Sequence, residues 1–138
     1  MISPTGLGIR TDPAGSGHYG SRRGRRIHKG TDYLAEPNQD IIAPFDMVIK
    51  RYANPTTAFP LTSGIVWTTP HMTGKMFYFV PDSHLIGAVV TAGQYLGLAI
   101  DLKKYYSADM SSHIHFQIDS FDPEFLRSLT ELITNFNI

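Results

Sequence analysis

From residue 40 onward the chain alternates short apolar runs with clusters of turn-forming residues. "DIIAP" and "DMVIKRYA", interrupted at Pro44-Phe45, have the length and β-branched content of strands. "SGIVWTTP" and "KMFYFVP" flank the turn-prone "HMTG" and predict an antiparallel hairpin. "AVVTAGQYLGLAI" divides at Gly93 into two short strands, and "HIHFQID" supplies the last. Strands recurring every ~8–12 residues predict an antiparallel β architecture. Both ends of the chain depart from this pattern. Residues 1–26 are rich in Pro, Gly, Ser and Asp, lack periodicity, and read as an ordered or mobile arm. Near the other end, Asp122, Pro123 and Glu124 stand in the order of N-cap, first helical residue and early acid. Phe125, Leu126, Leu129, Leu132, Ile133 and Phe136 then recur at helical spacing, which predicts one amphipathic helix over residues 122–136 packed on the core. With no internal repeat and no linker, the expectation is a single, mainly β domain over residues 1–138.

Composition narrows the partners. The 138 residues, 42% apolar and 17% charged, suit one globular domain with a sizeable core. Twelve basic and twelve acidic side chains cancel, so no global field points to nucleic acid or to a membrane surface. No apolar run approaches the roughly 18 residues of a membrane span. The opening "MISPTGLGIRTDPAGSG" lacks the apolar segment of a secretory signal. Cysteine is absent, which excludes disulfides and thiolate metal sites.

Candidate chemistry then rests on histidine. Among six histidines, an H-x-H or an H-x-x-x-D taken alone is unspecific. Geometry makes two of these pairs informative. His113 and His115, two apart on a strand, project from the same face about 6–7 Å apart, while Ile114 and Phe116 face the core. His28 and Asp32 also share a strand face, but four extended residues span about 13 Å, so a shared ligand requires a bend. Gly30 lies midway, has no side chain to fill the space above the strand, and tolerates the distortion. Two imidazoles and one carboxylate suit zinc in a catalytic site, where three protein ligands leave a position for water. The remaining histidine of the H-x-H would stand beside that water as a proton carrier.

The ordered motifs resemble those of the lysostaphin and LytM type of zinc metallopeptidase, which cuts peptide crosslinks in bacterial cell walls. "HKGTDYLAEPNQDIIAPFDMVI" is similar to the family's "H-x-G-x-D-x-x-A-x-x-G-x-x-I-x-A-P-x-D-G-x-V". "VVTAGQYLG" resembles its "V-x-x-G-Q-x-x-G", and "HIHFQI" its closing "H-x-H-F-E". One secreted animal branch, the leukocyte chemotaxin, looks closer still in "GIRTDPAGSGHYGSRRGRRIHKGTDYL", "IIAPF", "KMFYFVP", "GQYLG" and "SHIHFQIDSFDPEFL". The resemblance implies a β-sheet peptidase fold with a substrate groove. It implies one zinc ion held by His28, Asp32 and His115, with His113 handling a proton and steadying the tetrahedral intermediate. Gln117, on the same strand face, either fills surface or contacts the ligands or substrate.

Three departures from the family pattern stand out. The peptidases carry a further active-site histidine after the central hairpin; here that place falls at Tyr78, or at His84 if "SHL" matches their "A-H-L". The glycine-rich turn before H-x-H is replaced by the bulkier "DLKKYYSADMSS". Asn38 and Met47 stand where turn glycines are usual, and only Asn shares glycine's tolerance of the left-handed conformation. Arg22, Arg23, Arg25, Arg26 and Lys29 crowd around the first motif, either as an electrostatic guide for anionic wall polymers or as a solvated loop. No aromatic lies within the cluster, unlike a nucleic-acid site. The expected function is zinc-dependent hydrolysis of bacterial peptidoglycan peptides at the cell wall. Without a signal or cysteine, delivery as a phage component or a secretion-system cargo is expected. The alternative is a zinc-holding, catalytically silent module of the chemotaxin kind, which binds or signals.

Overall fold

The computed structural model describes residues 1–56 and 63–119. The helix expected over residues 122–136 lies outside the described residues. The arm contributes two short ribbons, β1 (Thr11–Asp12) with β2 (Gly15–Ser16), and β3 (Arg22–Arg23) with β4 (Arg26–Ile27). Then follow β5 (Thr31–Leu34), β6 (Asp40–Ile42), β7 (Met47–Tyr52), β8 (Gly64–Thr68), β9 (Thr73–Phe77) and β10 (Phe79–Pro81). The last are β11 (Val89–Val90), β12 (Tyr95–Ala99) and β13 (His113–Ile118). All pairings between these strands are antiparallel, as the sequence pattern predicts. A six-stranded sheet runs in the order β11-β7-β8-β9-β13-β5, and a three-stranded sheet in the order β10-β12-β6.

Strand alternation builds the core. Ile49, Ile65, Trp67, Met76, Ile114 and Phe116 are buried on the six-stranded sheet and meet Phe79, Leu96 and Ile41 from the other. Trp67 stacks on Phe116 with ring centroids 5.6 Å apart, and Phe45 closes edge-on against both. Gly74 makes room for the indole, since a Cβ there would lie 2.4 Å from Trp67 Cζ2. Met47 is itself a core residue at the start of β7, without positive φ, so no glycine is required. Asn38 does occupy the left-handed region, with φ +64°, as its chemistry allows.

One expected strand is broken. "KMFYFVP" divides at Tyr78, which takes φ +80°, an uncommon conformation for a bulky side chain. Its amide donates to the Ser63 carbonyl at 2.7 Å and its carbonyl accepts from Ile100 at 3.0 Å, which holds the kink in place. The kink sends β9 into one sheet and β10 into the other. The arm is ordered and runs along the outer edge of β5. Arg10 N donates to Asp32 O at 2.8 Å, Asp32 N to Gly17 O at 2.8 Å, and Leu34 N to Gly8 O at 2.8 Å. A sheet edge that would otherwise be open is thereby covered.

Candidate metal centre

β13 lies between β5 and β9, and its register places His115 directly opposite Asp32 on one side and Phe77 on the other. Directly opposed residues have Cβ atoms about 4.5–5.5 Å apart, so the two side chains must meet. The strand path is interrupted between β4 and β5, and there His28 turns back over the strand toward the same point. Gly30 permits the approach: a Cβ there would lie 2.6 Å from His115 Cε1 and 2.7 Å from Phe116 O. The bend expected at Gly30 is present for the expected reason. His28, Asp32 and His115 offer atoms that all lie within 4.8 Å of one another.

Their contacts define the geometry closely. His28 Nε2 is 3.1 Å from both His115 Nδ1 and Asp32 Oδ1, and His115 Nδ1 is 3.0 Å from the same oxygen. Two bonds of about 2.0–2.2 Å at a tetrahedral angle put ligand atoms about 3.3 Å apart, so the spacing fits one small cation.

Hydrogen bonds behind the imidazoles fix which nitrogens face inward. His28 Nδ1 lies 3.0 Å from the His18 carbonyl, which can only accept, so the proton sits on Nδ1 and Nε2 presents a lone pair. Gln117 Nε2 donates to the Asp119 carboxylate at 3.1 Å, which turns its Oε1 toward His115 Nε2, also at 3.1 Å. That acceptor holds the His115 proton on Nε2 and leaves Nδ1 as the inward lone pair. Three lone pairs therefore converge, and only a cation, whether proton or metal, relieves them. The donor set, two imidazoles and a carboxylate, is one that zinc accepts.

The second carboxylate oxygen is held separately. Arg10, 2% exposed, directs Nε and Nη2 at Asp32 Oδ2 at 3.4 and 3.3 Å. Its Nη1 donates to Asp12 Oδ1 at 2.9 Å, and Asp12 Oδ2 accepts from Ser111 N at 2.8 Å. Ser111 in turn accepts the Nδ1 proton of His113 through its carbonyl at 2.8 Å. A continuous chain of polar contacts thus ties the carboxylate to the segment that carries His113. His113 Nε2 faces Asp32 Oδ2 at 3.5 Å.

Burial by itself would raise the Asp32 carboxyl, but where a proton takes the place of a metal, hydrogen bonds from His115 and His28, with attraction from His113, hold it far below the usual carboxylate range. Burial lowers the proton affinity of His113, and the opposing pull of Asp32 does not restore it. In protein stripped of divalent cations, both depressed groups stabilise the fold above their unfolded-state values. The His113 contribution fades as pH falls below about 6.5 and the Asp32 contribution as it falls below about 3.9, each being lost through the folded-state value. Urea midpoints of the metal-free protein are expected to fall as the pH drops from about 4 to about 2, where unfolded carboxyls take up protons and Asp32 does not; a midpoint that rises over that range would contradict the engagement of Asp32.

The cleft above these residues has a volume of about 410 Å³ and is also lined by Arg23, Lys75, Tyr78 and Met110. Tyr78, turned inward by its kink, packs edge-on against His113 with centroids 5.0 Å apart. Its hydroxyl lies 3.4 Å from that of Tyr106, which the bulky loop before β13 supplies. Burial and the neighbouring phenol both raise the Tyr78 hydroxyl, so it keeps its proton. His84 sits exposed on a short 3-10 turn, Ser83–Leu85, and does not line the cleft. Of the two, Tyr78 lines the cleft and His84 does not.

Sequence reasoning passed over Arg10 and Asp12. Their signal was an Arg-x-Asp pair, two residues apart and therefore on one face of an extended segment.

No protein-family profile matches the chain, and no curated protein matches it in sequence. Solved structures do. The catalytic domain of the prophage-encoded M23 protein EnpA from Enterococcus faecalis, in a point-mutant form, superposes with a TM-score of 0.59 at 17% identity, covering 85% of each chain. The catalytic domain of the antimicrobial peptidase lysostaphin from Staphylococcus simulans does so with a TM-score of 0.55 at 18% identity, covering 78% of this chain and 80% of that one. The chain shares the fold of these two peptidase domains.

Proposed function

We propose that this chain is a zinc-dependent endopeptidase of the lysostaphin and LytM type, one domain over residues 1–138, that hydrolyses peptide crosslinks of bacterial peptidoglycan. The observation that carries the reading is the convergence of His28 Nε2, Asp32 Oδ1 and His115 Nδ1 to within 3.1 Å, with unligated His113 beside them, in a fold shared with peptidase catalytic domains. Zinc bound by those three side chains would serve as a Lewis acid for the scissile carbonyl and acidify the attacking water.

The chain's own residues do the rest. His113, neutral and with Nδ1–H anchored on the Ser111 carbonyl, offers Nε2 as the base. It takes the proton from water as the new C–O bond forms and returns it to the amine nitrogen as the C–N bond breaks. The Tyr78 hydroxyl, held protonated, donates to the oxygen on which charge develops. Arg10 keeps Asp32 Oδ2 engaged so that Oδ1 alone faces the ligand point.

A second reading, a zinc-holding module without catalysis, is favoured by one observation: the side chain packed against His113 in the cleft is a phenol, Tyr78, and not a further imidazole. A single experiment separates the two readings. Purified protein is expected to carry one zinc per chain and to release new muropeptides from isolated peptidoglycan, with release abolished by chelation and restored by one equivalent of zinc. Stoichiometric zinc without new muropeptides would favour the silent module.

A further inference from the structure

The arginine cluster forms a structure of its own. β3 and β4 pair through a tight turn with Gly24 at φ +62°, which puts Arg23 directly opposite Arg26. Like charges in directly opposed positions destabilise a ribbon, and a two-residue-per-strand ribbon has few other bonds to offset them. Arg23 is already engaged, donating to Ser16 O at 2.6 Å and standing 3.7 Å from Asp32 Oδ2. Arg25, Arg26 and Lys29 are exposed, and among the described residues none of them pairs with a carboxylate. They line a groove of about 610 Å³ with Arg23, Ile27 and His28. Ile27 is 62% exposed there and offers an apolar contact amid the charges. Through His28, the groove and the metal cleft share a wall.

Resting on the peptidase reading, we propose that this groove is a substrate subsite for free carboxylates, so that the preferred crosslink is an acidic peptide and not a neutral or glycine-only bridge. A concave wall of one charge sign concentrates the field and attracts the opposite charge. The carboxylate of Asp32 does not cancel it, because the buried Arg10 guanidinium already meets that charge. Peptide carboxylates laid over Arg25, Arg26 and Lys29 would also relieve the repulsion between Arg23 and Arg26.

The test compares a synthetic crosslink peptide carrying two free side carboxylates with the same peptide amidated at both. Equilibrium binding is measured on His113→Ala protein, so that cleavage plays no part. At low ionic strength the acidic peptide is expected to bind about fivefold to tenfold more tightly, as a few solvent-exposed ion pairs provide. The preference should shrink at 0.5 M salt (where screening acts within about 4–5 Å) and vanish when Arg25→Gln and Arg26→Gln are added. Equal binding of both peptides, or a preference that survives the two substitutions, overturns the subsite. Preferential binding alongside a wild type that cleaves neither peptide overturns the peptidase reading and leaves the subsite standing.

Discussion

Asp32→Ala is expected to lose zinc altogether, to abolish peptidoglycan cleavage, and to weaken the metal-free fold by about 3 kcal/mol. The carboxylate is the hub of the site. Its Oδ1 meets His28 and His115 at 3.1 and 3.0 Å, and its Oδ2 meets Arg10, Arg23 and His113. Removing it leaves two neutral imidazoles, too few to hold zinc against water, since catalytic sites use three protein ligands. It also strands a buried guanidinium. Breaking a buried ion pair costs about 3–5 kcal/mol, and the lower end applies because Arg10 keeps Asp12 at 2.9 Å. Zinc content after dialysis and urea unfolding of the metal-free proteins measure the two effects independently. One zinc per chain retained by the variant would show that the metal binds elsewhere.

His113→Ala should behave differently: activity is expected to fall about 10²–10⁴-fold, the range for removing a general acid–base, while zinc stays bound. The two histidines of the H-x-H are separated by only one residue, yet their surroundings differ. His115 Nδ1 points into the triangle of ligand atoms, whereas His113 has its Nδ1 on the Ser111 carbonyl and its Nε2 3.5 Å from the outer oxygen of Asp32. Tyr78→Phe should show the same pattern on a smaller scale, lowering kcat with little change in KM, because the hydroxyl acts only as charge develops. Zinc analysis beside kinetics decides the matter. If His113→Ala lost zinc in step with activity, His113 would be a ligand and the proposed division of labour would be wrong.

The placement of both histidines beside Asp32 follows from the alternation of β13. Period two put His113 and His115 on one face and Ile114 and Phe116 in the core, and that much was legible in "HIHFQI". So was the need for a bend at Gly30, since four extended residues cannot bring His28 to Asp32. The strands read from apolar runs are nearly all present, because alternation and turn chemistry are local properties carried by neighbouring residues. Tyr78 marks where local reading failed. An uninterrupted aromatic and β-branched run predicts a continuous strand, and only the bonds to Ser63 and Ile100 impose the kink that turns its ring into the cleft.

The sequence by itself determined the β class, the separation of core from polar face along each strand, and the inventory of groups able to bind zinc. Three things were left to tertiary structure: which residue lies opposite Asp32, which of Tyr78 and His84 reaches the cleft, and that Arg10 and Asp12 connect the Asp32 carboxylate to the segment of His113. Side-chain direction along a strand follows from the backbone's own repeat. Register, by contrast, is an agreement between segments 83 residues apart, as in the pairing of Asp32 with His115, and no local pattern in either segment specifies it.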